Sequence, residues 1–168
     1  MPETSFPSPF GAILLREQKD KLTDLLWTAT LSVSPEEHEE TPFLRETARQ
    51  LEAYFAGKLR RFSIPLAPHG TSFMLQVWEA LLTIPYGRTA SYKDIAEAAG
   101  TPGAVCAVGM ACHRNPIAIM IPCHRIIGKN GKLVGYAGGL DTKRGLLERE
   151  GVLQARLPLY SHSMRNPS

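Results

Sequence analysis

The chain has 168 residues, a net charge of +3, and 43% hydrophobic against 21% charged side chains, which excludes a disordered tail and suffices for one large domain or two small ones. No apolar run reaches the roughly 18 residues that span a bilayer. The opening Met-Pro-Glu-Thr-Ser-Phe-Pro lacks the pattern of a secretion signal. A soluble, cytoplasmic protein is therefore expected, with no membrane partner.

The first stretch reads as a small α/β lobe, an antiparallel sheet plus a helix, over residues 1–68. Phe10 to Leu15 and Leu25 to Val33 are strand-like, rich in apolar and β-branched residues. Ser34 to Pro42 is acidic and bracketed by prolines, hence a loop. Leu44, Ala48, Leu51 and Phe55 recur at helical spacing, and Gly57 ends that helix. Arg60 to Leu66 is a further candidate strand, and Pro65 to Gly70 a linker.

The second stretch, 69–155, starts as helix, with Phe73, Val77, Trp78, Leu81 and Leu82 on one stripe. Ser91 caps a short helix from Tyr92 to Ala99, closed by Gly100. Thr101-Pro102 then reads as the N-cap and first residue of another helix. Two short helices around a glycine turn predict a helix-turn-helix, a signal shared with ordinary helical hairpins. The second helix, Gly103 to Ala111, is almost free of long polar side chains. It lacks the Arg, Asn or Gln that read base edges in a major groove, but it permits close approach to a minor groove. Lys129-Asn130-Gly131-Lys132 is a two-residue turn between Ile126-Ile127 and Leu133-Val134, which predicts a wing-like hairpin with Lys129 near phosphate. Asp141 to Glu150 closes the domain as a helix, and 156–168 is a tail. The fold class is thus α+β: a small sheet-and-helix lobe followed by a helical, winged helix-turn-helix-like domain.

Charge divides along the same line. Residues 1–85 hold eight basic and eleven acidic side chains, whereas residues 86–144 hold eight basic and three acidic. The basic segment suits a polyanion.

The three cysteines, Cys106, Cys112 and Cys123, all fall in that segment. An odd count argues against a disulfide framework. A zinc site built from Cys106, Cys112, His113, Cys123 and His124 matches no usual ligand spacing, so no metal is expected. Cys112 reads as core. Cys123, followed by His124 and Arg125, is the candidate nucleophile: basic neighbours lower a thiol pKa, and His124 can accept the proton.

Ile121-Pro122-Cys123-His124-Arg125-Ile126-Ile127, with Asn115-Pro116 upstream and Gly135-Tyr136-Ala137-Gly138-Gly139 downstream, resembles the O6-alkylguanine-DNA alkyltransferases. The match continues through Ile84-Pro85-Tyr86-Gly87, Ser91-Tyr92, Ala107-Val108-Gly109, Leu146-Leu147 and Glu150-Gly151. The resemblance implies a repair protein that moves the alkyl group of O6-alkylguanine irreversibly onto Cys123, once per molecule. It implies minor-groove binding of alkylated double-stranded DNA and a flipped base.

By the same resemblance, Cys123, His124, Glu150, Tyr92 and Asn115 are catalytic. Tyr92, Thr101, Cys106, Ala107, Gly109, Arg114 and Lys129 would face DNA. Tyr136, Ala137, Gly138 and Ile126 would form the guanine pocket, supported by Lys143. A monomer without a small-molecule cofactor is expected. Cys106 stands where the family usually carries an arginine that fills the space left by the flipped base. A lesion-binding protein that does not repair, and a thiol hydrolase, are the competing readings.

Overall fold

The computed structural model describes residues 1–29 and 40–153. Strands β1 (Glu3–Ser8), β2 (Gly11–Gln18) and β3 (Lys21–Thr28) form one antiparallel sheet in the order β1-β2-β3. Helices α1 (Pro42–Phe55), α2 (Ser72–Leu81), α3 (Tyr92–Ala98), α4 (Val105–His113) and α5 (Leu140–Arg149) follow, with 3-10 turns at Cys123–Arg125 and Lys129–Gly131. The architecture is α+β, a sheet first and helices after it.

Alternation decides the sheet's faces. Ile13 and Leu15 of β2 and, across an irregularity in the β2–β3 register, Leu22 and Leu25 of β3 are fully buried in one core cluster with Leu44, Leu51 and Tyr54 of α1. Thr41 caps α1 by accepting the Leu44 N–H at 3.1 Å, and Gly57 closes it at φ +76°. The strand β3 starts at Lys21, before the expected Leu25, because a tight turn at Lys19-Asp20 already returns the chain. The far end of that expected strand and the body of the acidic loop lie outside the described residues. β1 escaped the sequence reading, since its Pro7 is tolerated at a sheet edge but weakens any strand pattern.

Arg60–Leu66 is not a strand. Only Leu66 makes a single parallel bridge, to Leu22, because Pro65 supplies no donor there. The free edge of β3 is instead extended from a distance: the Leu25 N–H donates to Pro116 O at 2.8 Å and the Ala118 N–H to Leu25 O at 3.0 Å. The segment that leads to Cys123 is thereby fastened to the sheet.

In the second stretch Val77, Trp78 and Leu81 of α2 are buried, but Leu82, expected on the same stripe, is half exposed past the helix end. Trp78 Nε1 donates to Ala111 O at 2.8 Å and ties α2 to α4. A capping box of Ser91 and Asp94 starts α3. α4 begins three residues later than expected. Its N-cap is Ala104, while Thr101 to Ala104 form a turn closed by the Ala104 N–H on Thr101 O at 2.9 Å. The Thr101 hydroxyl is buried without a hydrogen-bond partner among the described residues, so it does not cap the helix.

The expected wing is present as a tight turn without paired strands. Asn130 and Gly131 do adopt positive φ, as the turn signal required, but the bonds between the arms stop at the turn itself, with the Gly128 N–H on Lys132 O and the Gly131 N–H on Gly128 O. Ile126 and its neighbours pair instead with Ala90: the Ala90 N–H donates to Arg125 O and the Ile127 N–H to Ala90 O. The backbone groups a hairpin would use are already taken. Among the described residues no helix is long and apolar enough to cross a membrane.

Candidate functional site

Residues 117–121 are all buried, and they deliver the chain to a 3-10 turn that opens at Cys123 behind Pro122. Ile119 lies at φ +70°, which a β-branched residue adopts only when its surroundings impose it. Asn115 provides much of that constraint. Its Oδ1 accepts the Ile117 N–H at 3.0 Å, and its Nδ2 donates to Ile121 O at 2.8 Å and to Cys123 Sγ at 3.3 Å. One amide therefore fixes the entry, the exit and the thiol of the turn.

Behind the thiol, three polar side chains close on one carboxylate. His124 Nε2 lies 2.7 Å from Glu150 Oε2, and the Tyr54 hydroxyl donates to the same oxygen at 2.6 Å. Arg125 donates through Nε to Glu150 Oε1 at 2.8 Å and through Nη2 to Oε2 at 3.1 Å, and its Nη1 bonds Ile84 O at 2.7 Å. His124 and the Glu150 carboxylate are fully buried. Burial alone would raise Glu150, but the hydrogen bonds from His124 and Arg125, with the Arg125 charge, overcome it and bring its pKa to about 2.

The ionised carboxylate accepts Nε2–H, which leaves the lone pair of His124 on Nδ1; that atom is buried with no protein partner among the described residues. Burial lowers the pKa of His124, against the pull of Glu150, so the ring is neutral.

Contrary to expectation, the basic neighbours do not activate the resting thiol. Burial pushes Cys123 above its ordinary value, and the Asn115 hydrogen bond and the Lys143 charge offset this only in part. Arg125 is committed to Glu150, and His124 carries no charge. The arrangement suits a thiol that surrenders its proton during the reaction to a neutral imidazole, with Glu150 stabilising the imidazolium that forms.

Cys123 opens on a cavity of about 130 Å³ lined by Tyr92, Gly109, Cys112, His113, Cys123, Gly135, Tyr136 and Ala137. The volume suits one flat ring system and is well below that of a drug-sized pocket. Tyr92, at the start of α3, is half buried and its phenol is held protonated by burial and by the nearby thiols. The Tyr136 hydroxyl accepts a bond from Trp27 Nε1 at 3.3 Å, and its ring meets His124 edge-on at 6.5 Å. Gly138 packs so closely on Trp27 that a Cβ there would come within 2.8 Å of the indole. Lys143 is fully buried, donates to Val134 O at 2.9 Å, and has its pKa lowered to about 8 by burial. It pins the cavity loop to α5.

Of the expected pocket residues, Tyr136 and Ala137 line the cavity, whereas Ile126 is buried in the core and Gly138 stands behind the wall. Cys106, Ala107 and Arg114 are exposed on α4 or at its end, and Gly109 reaches the cavity. The side chain of Lys129 lies outside the described residues. Thr101 turns its hydroxyl inward, so any anion at the start of α4 would meet backbone N–H groups alone.

Of the zinc alternative's residues, Cys112, His113 and Cys123 share the cavity wall, but Cys106 is exposed on the helix surface and His124 is spent on Glu150. Among the described residues no three such side chains are placed to hold a metal. Sequence reasoning missed Cys112 and His113 as cavity walls, although with Gly109 they share one helix face at i, i+3 and i+4. It also missed Trp27 and Tyr54, which reach the site from the sheet-bearing stretch.

Residues 72–152 match the family described as 6-O-methylguanine DNA methyltransferase, DNA binding domain, and residues 1–68 match its ribonuclease-like domain. The chain is 51% identical over 149 residues to the methylated-DNA--protein-cysteine methyltransferase of Methanosarcina acetivorans, covering 87% of this chain and 96% of that one. It is 48% identical over 158 residues to the constitutive enzyme of that name from Bacillus subtilis, covering 89% and 94%. The crystal structure of Mycobacterium tuberculosis OGT in complex with DNA superposes with a TM-score of 0.80 at 46% identity, covering 89% of this chain and 92% of that one. Matched along both stretches, and aligned with these relatives over most of their length, the chain belongs to the 6-O-methylguanine DNA methyltransferase family.

Proposed function

We propose that this protein repairs O6-alkylguanine in DNA by moving the alkyl group to Cys123 in one displacement. The observation that carries the reading is the thiol in the wall of a base-sized cavity, backed by a neutral His124 that an ionised Glu150 orients.

The proton of Cys123 passes to His124 Nδ1, directly or through a water. The Sγ–carbon bond forms as the carbon–O6 bond breaks, and the guanine is protonated as it leaves, with the Tyr92 phenol as the donor at the cavity edge. The imidazolium is stabilised by Glu150, which Arg125 and Tyr54 hold in place. A thioether is a poor leaving group, so each molecule reacts once.

The base enters flipped out of a minor groove, against the small-residue face of α4. Residues 1–68 serve as scaffold, 69–155 carry DNA binding and transfer, and the protein acts as a cytoplasmic monomer without a cofactor. Intact mass measured after incubation with DNA containing O6-methylguanine tests the reading. A gain of about 14 Da that maps to Cys123 and vanishes in Cys123→Ser supports it; tight binding without a mass gain points to a lesion-binding protein instead.

A further inference from the structure

The exposed face of α4 carries no arginine or lysine that could hold open a base stack: Cys106 and Ala107 are exposed and short, and Gly109 opens onto the cavity. Three larger side chains are exposed on the helix, Val105 at its start, Met110, and His113, which lines the cavity. Met110 is 55% exposed, the most exposed large hydrophobic residue within any described helix, and it neighbours both Gly109 and the cavity-lining His113. At 100° per residue it lies about 40° around the helix from Cys106 and one turn along, whereas Arg114 lies about 80° away. Arg114 is also already the C-cap, outside the helix. Long helical side chains lean toward the N-terminus, so Met110 covers the surface over Cys106.

Resting on the repair reading above, we propose that Met110 is the wedge that enters the DNA stack when the damaged base leaves it. An emptied position in a duplex is apolar above and below, and unbranched, polarisable Met is among the side chains that fill such gaps. Exposure of this residue costs the free protein hydration of an apolar surface, which insertion between bases recovers.

The test compares single-turnover methyl transfer from the same O6-methylguanine oligonucleotide, as a duplex and as a single strand. In Met110→Ala the duplex rate falls about tenfold while the single-strand rate stays within about twofold, because only the duplex must be held open. Met110→Leu keeps most of the duplex rate, and a fluorescent base analogue beside the lesion brightens less on binding the Ala variant. An unchanged duplex-to-single-strand ratio in Met110→Ala overturns the wedge while leaving the repair reading intact. Equal losses on both substrates also overturn it, since they place Met110 in the pocket rather than in the stack. If the wild-type chain transfers methyl from neither substrate, the repair reading fails and the wedge with it.

Discussion

Glu150 concentrates the energetics of the site. Its carboxylate is fully buried and receives Tyr54, His124 and Arg125, so Glu150→Gln strands a guanidinium in the interior. Breaking a buried pair in this way is expected to cost about 3–5 kcal/mol, readable as a lowered denaturation midpoint. Removing only the Tyr54 hydroxyl, in Tyr54→Phe, should cost about 1.5–3 kcal/mol, the usual worth of a bond to a charged group.

The pH dependence follows from the same groups. Glu150 titrates at about 2 when folded against 4.5 ordinarily, so its contribution is complete above pH 4.5 and is lost as pH falls toward 2. His124 is also depressed from 6.5, so below that pH the unfolded chain takes up a proton that the folded one refuses. Thermal melts should therefore begin to fall below pH 6.5 and steepen below 4.5. Transfer should keep its rate as pH falls through 6.5, since the imidazole takes up its proton only at lower pH. A thiolate absorbance at neutral pH, or a rate that titrates near pH 7, would contradict this account of the raised Cys123 and lowered His124.

Elements differ in how far local sequence determines them. α1, α2, α3 and α5 carry apolar residues at helical spacing, and the first three have side-chain caps, so their existence was legible and their ends nearly so. Ser91→Ala should cost about 1 kcal/mol by opening the capping box, measured by chemical denaturation. Thr101-Pro102 misled because the same pair starts either a helix or a turn, and here the turn comes first. The hairpin at 126–134 misled for a different reason. Its turn chemistry was right, but its backbone partners were taken by Ala90, a choice made outside the segment. Cys123 and His124 stood out from their own neighbours in the sequence, whereas Asn115, Tyr92 and Glu150 were named only through resemblance. Spacing alone could not bring His124 to Glu150, which a cross-chain contact decides.

At the scale of the whole molecule, the first stretch is part of the site's construction. Trp27 and Tyr54 reach residues 109 and 96 positions away, a separation across which no periodicity or motif speaks. Trp27→Phe should loosen Tyr136 and slow single-turnover transfer several-fold with a small change in melting temperature, since one neutral hydrogen bond is worth about 1 kcal/mol. Severing residues 1–68 should do far more. It strips the partners from Pro116 and Ala118 and exposes the buried run before Cys123, so circular dichroism of 69–168 should show a loosened fold.

The pairing of β3 with residues 116–118 has one more effect. A sheet of three strands has two borders, each a template on which a foreign strand can grow. One border is occupied by the protein's own later segment. The other is β1, where Pro7 interrupts the row of donors that an incoming strand would read. Stickiness between copies is thus suppressed at both rims by backbone chemistry rather than by charge. Pro7→Val should raise light scattering on warming at any salt concentration.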